Sequence, residues 1–182
     1  MSKVGQVIHN PISGESFTFL KTAEETNGAY FQFEWRLKPD GLMPFAHVHP
    51  CQTETFEVLQ GEMSVLISHA VQVVKAGETI TVPAGAVHQP MNPKRQELVV
   101  RVTFRPALNA DLALETICAL ASDLQTDDTG QPDFLALAVM NDTYPDDDEL
   151  AAPPAPAQNV LKFAAMLSHL ASYRSYYPRY GE

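Results

Sequence analysis

The stretch GLMPFAHVHPCQTETFEVLQG, residues 41–61, brings two histidines and a carboxylate together in a strand-like context. Successive side chains of a strand leave opposite faces, so His47 and His49, two apart, leave the same one. Glu54 lies five residues beyond His49, which is the wrong parity for a continuous strand. The segment Pro50-Cys51-Gln52-Thr53 must therefore turn or bulge, and a proline suits that. If Glu54 then points inward, Phe56 and Val58 point in beside it, while Thr55 and Glu57 face outward. That pattern selects Glu54 over Glu57 as a candidate ligand.

A second stretch, GETITVPAGAVHQPMN at residues 77–92, supplies a fourth donor. His88 follows the turn residues Pro83-Ala84-Gly85 and opens another strand, so a ligand from a separate strand closes the site in three dimensions. Three imidazoles and one carboxylate form a mixed nitrogen and oxygen set. Such a set suits a divalent Fe, Mn, Ni, Zn or Cu ion and offers no thiolate to select a soft metal. On a metal that accepts six donors, four protein ligands leave two positions for water, substrate or dioxygen. Asn92 is expected to serve a turn or to support a ligand from behind, and not to bind the metal itself. His9, His69 and His169 are expected to have no ligand role, and Cys51 to be a loop cysteine without one.

Both stretches resemble the two cupin motifs. In the first, Gly41 is followed by five residues, His-x-His, a short gap, Glu54, six residues and Gly61. In the second, Gly77 is followed by five residues, Pro-x-Gly, two residues, His88, three residues and Asn92. The resemblance covers roughly residues 30–105. It implies a small jelly-roll barrel, metal ligands at His47, His49, Glu54 and His88, and a homodimer.

Outward from these motifs the chain reads as many short strands, expected at 5–9, 15–21, 30–37, 45–49, 54–59, 63–68, 71–74, 79–82, 87–91 and 98–104. The separators include Asn10-Pro11, Pro39-Asp40-Gly41, Gln60-Gly61 and Ala76-Gly77. Close spacing of this kind argues for an antiparallel sandwich or barrel. The clearest strand surrounds Trp35, where Phe31, Phe33, Trp35 and Leu37 alternate strictly with polar residues. Pocket-wall candidates are Phe31, Phe33, Trp35, Met63 and Phe104, with core packing as the default. Arg36 and Arg101 are expected on the surface or in salt bridges.

After Pro106 the pattern turns helical. Asn109 or Asp111 could cap a helix running to about 125, with Leu112, Ile117, Leu120 and Leu124 as its apolar set. A second helix is expected at 131–141, an extended Pro/Ala linker at 151–157 and a third helix at 158–172. The organisation expected is a barrel at 1–107 and a helical extension at 108–182, packed on it and not an independent domain. The acidic run 146–149 reads as a solvated turn. Tyr173, Tyr176, Tyr177 and Tyr180 are expected in packing or a dimer contact.

The 182 residues carry 45% hydrophobic and 19% charged side chains, a globular composition, and a formal net charge of -10. Acidity disfavours phosphate backbones and anionic membranes as partners, so a small-molecule ligand is expected instead of nucleic acid or lipid. No run suits a signal peptide or membrane span. Two cysteines make no disulfide framework, which fits a reducing cytoplasm. The functional expectation is a metal-dependent enzyme on a small organic molecule, with oxygenation ranked first by resemblance and isomerisation or lyase chemistry next. The alternative is a non-catalytic module that binds a small ligand or metal. Absence of a helix-turn-helix disfavours a transcription factor.

Overall fold

The computed structural model describes residues 2–39, 46–94, 96–143 and 149–150. The strand around Trp35 is its organising element. As β3 (Phe31–Leu37) it buries Phe31, Phe33, Trp35 and Leu37 on one face, as the period of two demands. β2 (Glu15–Lys21) and β10 (Leu98–Arg105) flank it, both antiparallel. β1 (Val7–Asn10), β5 (Thr53–Gln60) and β8 (Thr79–Val82) complete a six-stranded sheet in the order β1-β2-β3-β10-β5-β8.

The second sheet contains β4 (His47–Val48), β6 (Glu62–Ile67), β7 (Ala70–Lys75), β9 (His88–Met91) and β11 (Glu149–Leu150), in the order β11-β4-β9-β6-β7. The two sheets enclose one core, in which Phe19, Phe31, Leu37, Phe56 and Met63 are at most 2% exposed. Phe19 meets Phe31 edge-on at 4.9 Å and Phe17 meets Phe33 at 5.8 Å, the geometry that aromatic quadrupoles favour. This is the expected mainly β jelly-roll architecture.

Each of the ten expected strands has a counterpart, and the differences are informative. β4 keeps only two residues, because the chain bends at Pro50 and Cys51 to cross into the other sheet. Glu149 is not in a solvated turn: β11 pairs it with Val48 and pairs Leu150 with His47. A two-residue strand carries no periodicity, so nothing local announced it.

Two helices follow the barrel. α1 (Ala110–Ser122) packs against β1. Asn109 stands at its N-cap without a side-chain capping hydrogen bond. The helix ends earlier than expected, since Leu124 adopts a left-handed φ of 57°. Leu124 is therefore 79% exposed and leaves the apolar set it was assigned to. The buried face instead includes Glu115, Thr116, Cys118 and Leu120, with Glu115 accepting a hydrogen bond from Gln6 Nε2 at 2.7 Å. α2 (Phe134–Thr143) starts three residues late, where the Asp133 carboxylate caps the Ala136 amide at 2.8 Å. Pro132 belongs instead to a bridge with Thr126. The expected linker at 151–157, the helix at 158–172, His169 and the four tail tyrosines lie outside the described residues.

Candidate metal centre and its pocket

Three strands deliver the four predicted donors. β4 carries His47, which pairs directly with His88 at the start of β9. Glu54 arrives from β5 in the opposite sheet, inward beside Phe56 and Val58, as the parity reading requires. His49 follows β4 at the bend, where its carbonyl accepts the Gly85 amide at 2.9 Å. That bond joins the His-x-His segment to the turn that aims His88, and Gly85 takes the left-handed φ of 76° needed there. Gln52 fixes the other side of the crossover. Its Nε2 donates to the carbonyls of Pro106 and Ala107, both at 2.9 Å.

One donor atom from each of His47, His49, Glu54 and His88 lies within 4.8 Å of all the others, and all four residues are buried. Bonds of about 2.1 Å to a common ion put neighbouring donors about 3.0 Å apart and opposed ones about 4.2 Å apart. The cluster could therefore hold a metal ion with little adjustment. Glu54 Oε2 lies 2.7 Å from His88 Nε2 and 3.4 Å from His49 Nε2. His88 Nδ1 faces the Ala86 carbonyl at 3.0 Å, so Nδ1 carries the proton that satisfies it. A proton or a metal ion between Nε2 and the Glu54 carboxylate would satisfy both atoms at that distance. Burial alone would raise the Glu54 pKa, but hydrogen bonds and charge from His49 and His88 outweigh it and hold the carboxyl well below its usual range.

Comparisons with known proteins bear on the barrel that carries this cluster. The Cupin domain family profile matches residues 33–104, a span that includes all four donors. The barrel is of the cupin type. The chain is 38% identical over 112 residues to germin-like protein 3-5 of Oryza sativa subsp. japonica, covering 55% of this chain and 48% of that protein. Germin-like protein 3-6 of the same plant matches to the same extent. The chain thus spans about half the length of the curated relatives it matches. A solved RmlC-like cupin from Shewanella frigidimarina NCIMB 400 aligns with a TM-score of 0.50 at 19% identity, over 61% of this chain and 93% of that one, which bears on the fold alone.

Within the cupin barrel the cluster opens on a cavity of about 130 Å³. His47, His49 and Glu54 line it, while His88 stands fully buried behind them. Of the expected wall residues, Phe33, Trp35 and Phe104 line the cavity. Phe31 and Met63 are core residues that do not. Asn92 is a turn residue, as expected: its Nδ2 donates to the carbonyls of Lys38 and Gln96, both at 2.9 Å. Arg36 pairs with Glu34 and Arg101 with Glu57, each at 2.8 Å, outside the pocket. His9 and His69 are exposed. Cys51 is exposed and Cys118 buried, and burial, with Glu15 and Glu115 nearby, pushes the Cys118 thiol up.

Sequence reasoning missed the rest of the lining. Ala110, Ala113, Leu114 and Ile117 of α1 close one side, and Thr129, Gly130 and Gln131 close another. The loop before α2 is held by Asn10, whose Nδ2 donates to the Gly130 carbonyl at 2.8 Å. Glu15 was missed as well, although a carboxylate on the same strand face as Phe17 and Phe19 was a legible anomaly.

Proposed function

We propose that this cupin is a metal-dependent enzyme acting on a small organic molecule, with His47, His49, Glu54 and His88 as the metal ligands. The observation that carries the proposal is the facing of His88 Nε2 and the Glu54 carboxylate at 2.7 Å within a buried four-donor cluster that borders a cavity. A bound divalent Fe, Mn, Ni, Zn or Cu ion supplies Lewis acidity there and, if redox-active, a means of activating dioxygen. The protein's own groups do the remainder. Ala86 fixes the His88 tautomer through Nδ1, Glu54 brings the negative charge, and the aromatic walls offer an apolar surface to the body of the reacting molecule. Oxygenation is the reaction class put first, ahead of isomerisation or lyase chemistry. A cytoplasmic homodimer is part of the same proposal.

Elemental analysis tests the centre. The expected result is near-stoichiometric transition metal that is absent from His47→Ala and His88→Ala. Protein that is metal-free and also refuses Fe(II), Mn(II), Ni(II) and Zn(II) would overturn it. Dioxygen uptake by the Fe(II) form against a panel of diols, phenols and diketones tests catalysis. Silence across the panel would leave the cupin a small-ligand or metal-binding module.

A further inference from the structure

The pocket has a second polar pole on the side of β1 and β2. Glu15 begins β2 with its side chain on the inward face that carries Phe17 and Phe19, opposite Asn10 in the β1 register. It lines the same cavity as His47, His49 and Glu54. Two donors from the protein fix its carboxylate. Trp35 Nε1 donates to Oε1 at 3.1 Å and Ser13 Oγ to Oε2 at 2.6 Å. Each oxygen keeps a further lone pair, so the group is held in one orientation and is still able to accept.

The other polar groups of the lining have the same bias. Side-chain donors of Asn10, Trp35, Gln52 and Thr129 are all engaged within the protein. The acceptor Gln52 Oε1 has no hydrogen-bond partner, while Gln131, with none on its Oε1, presents an amide that can turn either way. The Gln52 amide cannot simply be flipped, because its nitrogen already serves two backbone carbonyls. Among the described residues no lysine or arginine lines the cavity, and the remaining wall is aromatic and aliphatic. A ligand that suits the Glu15 end is apolar in body, brings its own hydrogen-bond donors to it and carries no negative charge there.

We propose that Glu15 is a ligand-contacting specificity residue, accepting a hydrogen bond from a hydroxyl of a neutral hydroxylated ring compound whose other end faces the His/Glu cluster. This rests on the metal-centre reading only for the orientation of the ligand. Orienting the Trp35 indole does not require a carboxylate, since a neutral acceptor would serve. A carboxyl in this setting is costly, as burial raises its pKa against the opposing hydrogen bonds from Ser13 and Trp35 and the charge of Lys38. From α1, Cys118 lies within Coulombic reach of Glu15 and brings no positive charge.

The test is calorimetric titration of the Zn(II)-loaded full chain with hydroquinone and 4-methylphenol, with zinc content measured on each sample. Replacing one hydroxyl by a methyl of similar size should weaken binding about tenfold, the loss of one hydrogen bond to a charged acceptor. In Glu15→Ala the difference between hydroquinone and 4-methylphenol should vanish with zinc content unchanged. In Glu15→Gln, which keeps an acceptor for the indole and the ligand, part of the difference should return. Equal binding of the two neutral compounds to the unaltered protein would overturn the proposal. So would discrimination that persists in Glu15→Ala, or no hydroquinone binding at all. Failure to take up zinc counts against the metal centre instead, and the Glu15-dependent discrimination is still read on that sample.

Discussion

The two ends of the pocket are built on different principles. The cluster end takes its side chains from three strands of two facing sheets, and backbone pairing such as His47 with His88 sets their positions. The covering end takes its residues from α1 and the loop before α2, which rest on the barrel through side chains: Gln6 on Glu115, Asn10 on Gly130. Ladder hydrogen bonds hold a donor set to a fraction of an ångström. A helix resting on a strand sets the size and chemistry of a cavity while leaving the ligands where they are. The framework of the four-donor cluster and the lining of the cavity beside it are thus separable here.

That separation can be broken most sharply at His88. His88→Ala should reduce bound metal at least tenfold to a hundredfold by elemental analysis, while circular dichroism shows the barrel intact and the covering end unaffected. Phe56, 1% exposed and on the strand that carries Glu54, belongs to the shared core. Phe56→Ala should cost about 3–5 kcal/mol in urea unfolding and weaken both ends together. The covering end alone should respond to Gly130→Ala. Gly130 has φ +84°, and an added Cβ would sit 2.6 Å from Asn10 Oδ1. A loss of about 1–3 kcal/mol is expected, with weaker hydroquinone binding and unchanged metal content.

A smaller effect should appear in the pH dependence. Glu15 has its folded-state pKa raised above 4.5, so the folded state holds this proton more firmly than the unfolded chain does. Its stabilising contribution is complete below that pH and is lost as pH rises through the folded value. Glu15→Gln should therefore gain stability relative to the unaltered protein as pH rises above about 4.5, read from urea midpoints at several pH values. A variant that loses relative stability over that window would contradict the burial argument. Smallest of all, Arg101→Ala should cost at most about 1 kcal/mol, since its bridge to Glu57 lies on the solvent face.

The cluster end was legible in the sequence because its chemistry is local. One residue between histidines, a parity break across Pro50–Thr53 and a turn before His88 state where each donor must point. The jelly roll was legible through the alternation of β3 and the spacing of turns. The covering end was not, for reasons visible in single residues. Ala110 and Ala113 line the cavity by being small, and a small apolar residue on a helix announces no ligand. Leu124 fits a helical period and yet stands in solvent, because the backbone leaves the helix just before it. Gln52 acts through an amide that reaches Pro106 and Ala107, more than fifty residues away, which no spacing rule encodes. Glu15 did carry a signal, a charge on an apolar strand face, and its meaning came only with the cavity beside it.

The crossover at Pro50–Thr53 has one more consequence. Because it sends Glu54 into the six-stranded sheet while His47 and His88 stay in the other, an ion held by all of them would rivet the two layers together. Unfolding would then require releasing the ion, and resistance to heat would follow free metal concentration, by about 2.7 kcal/mol at a hundred times the dissociation constant. In a cell, the lifetime of this protein would thereby become a readout of metal supply.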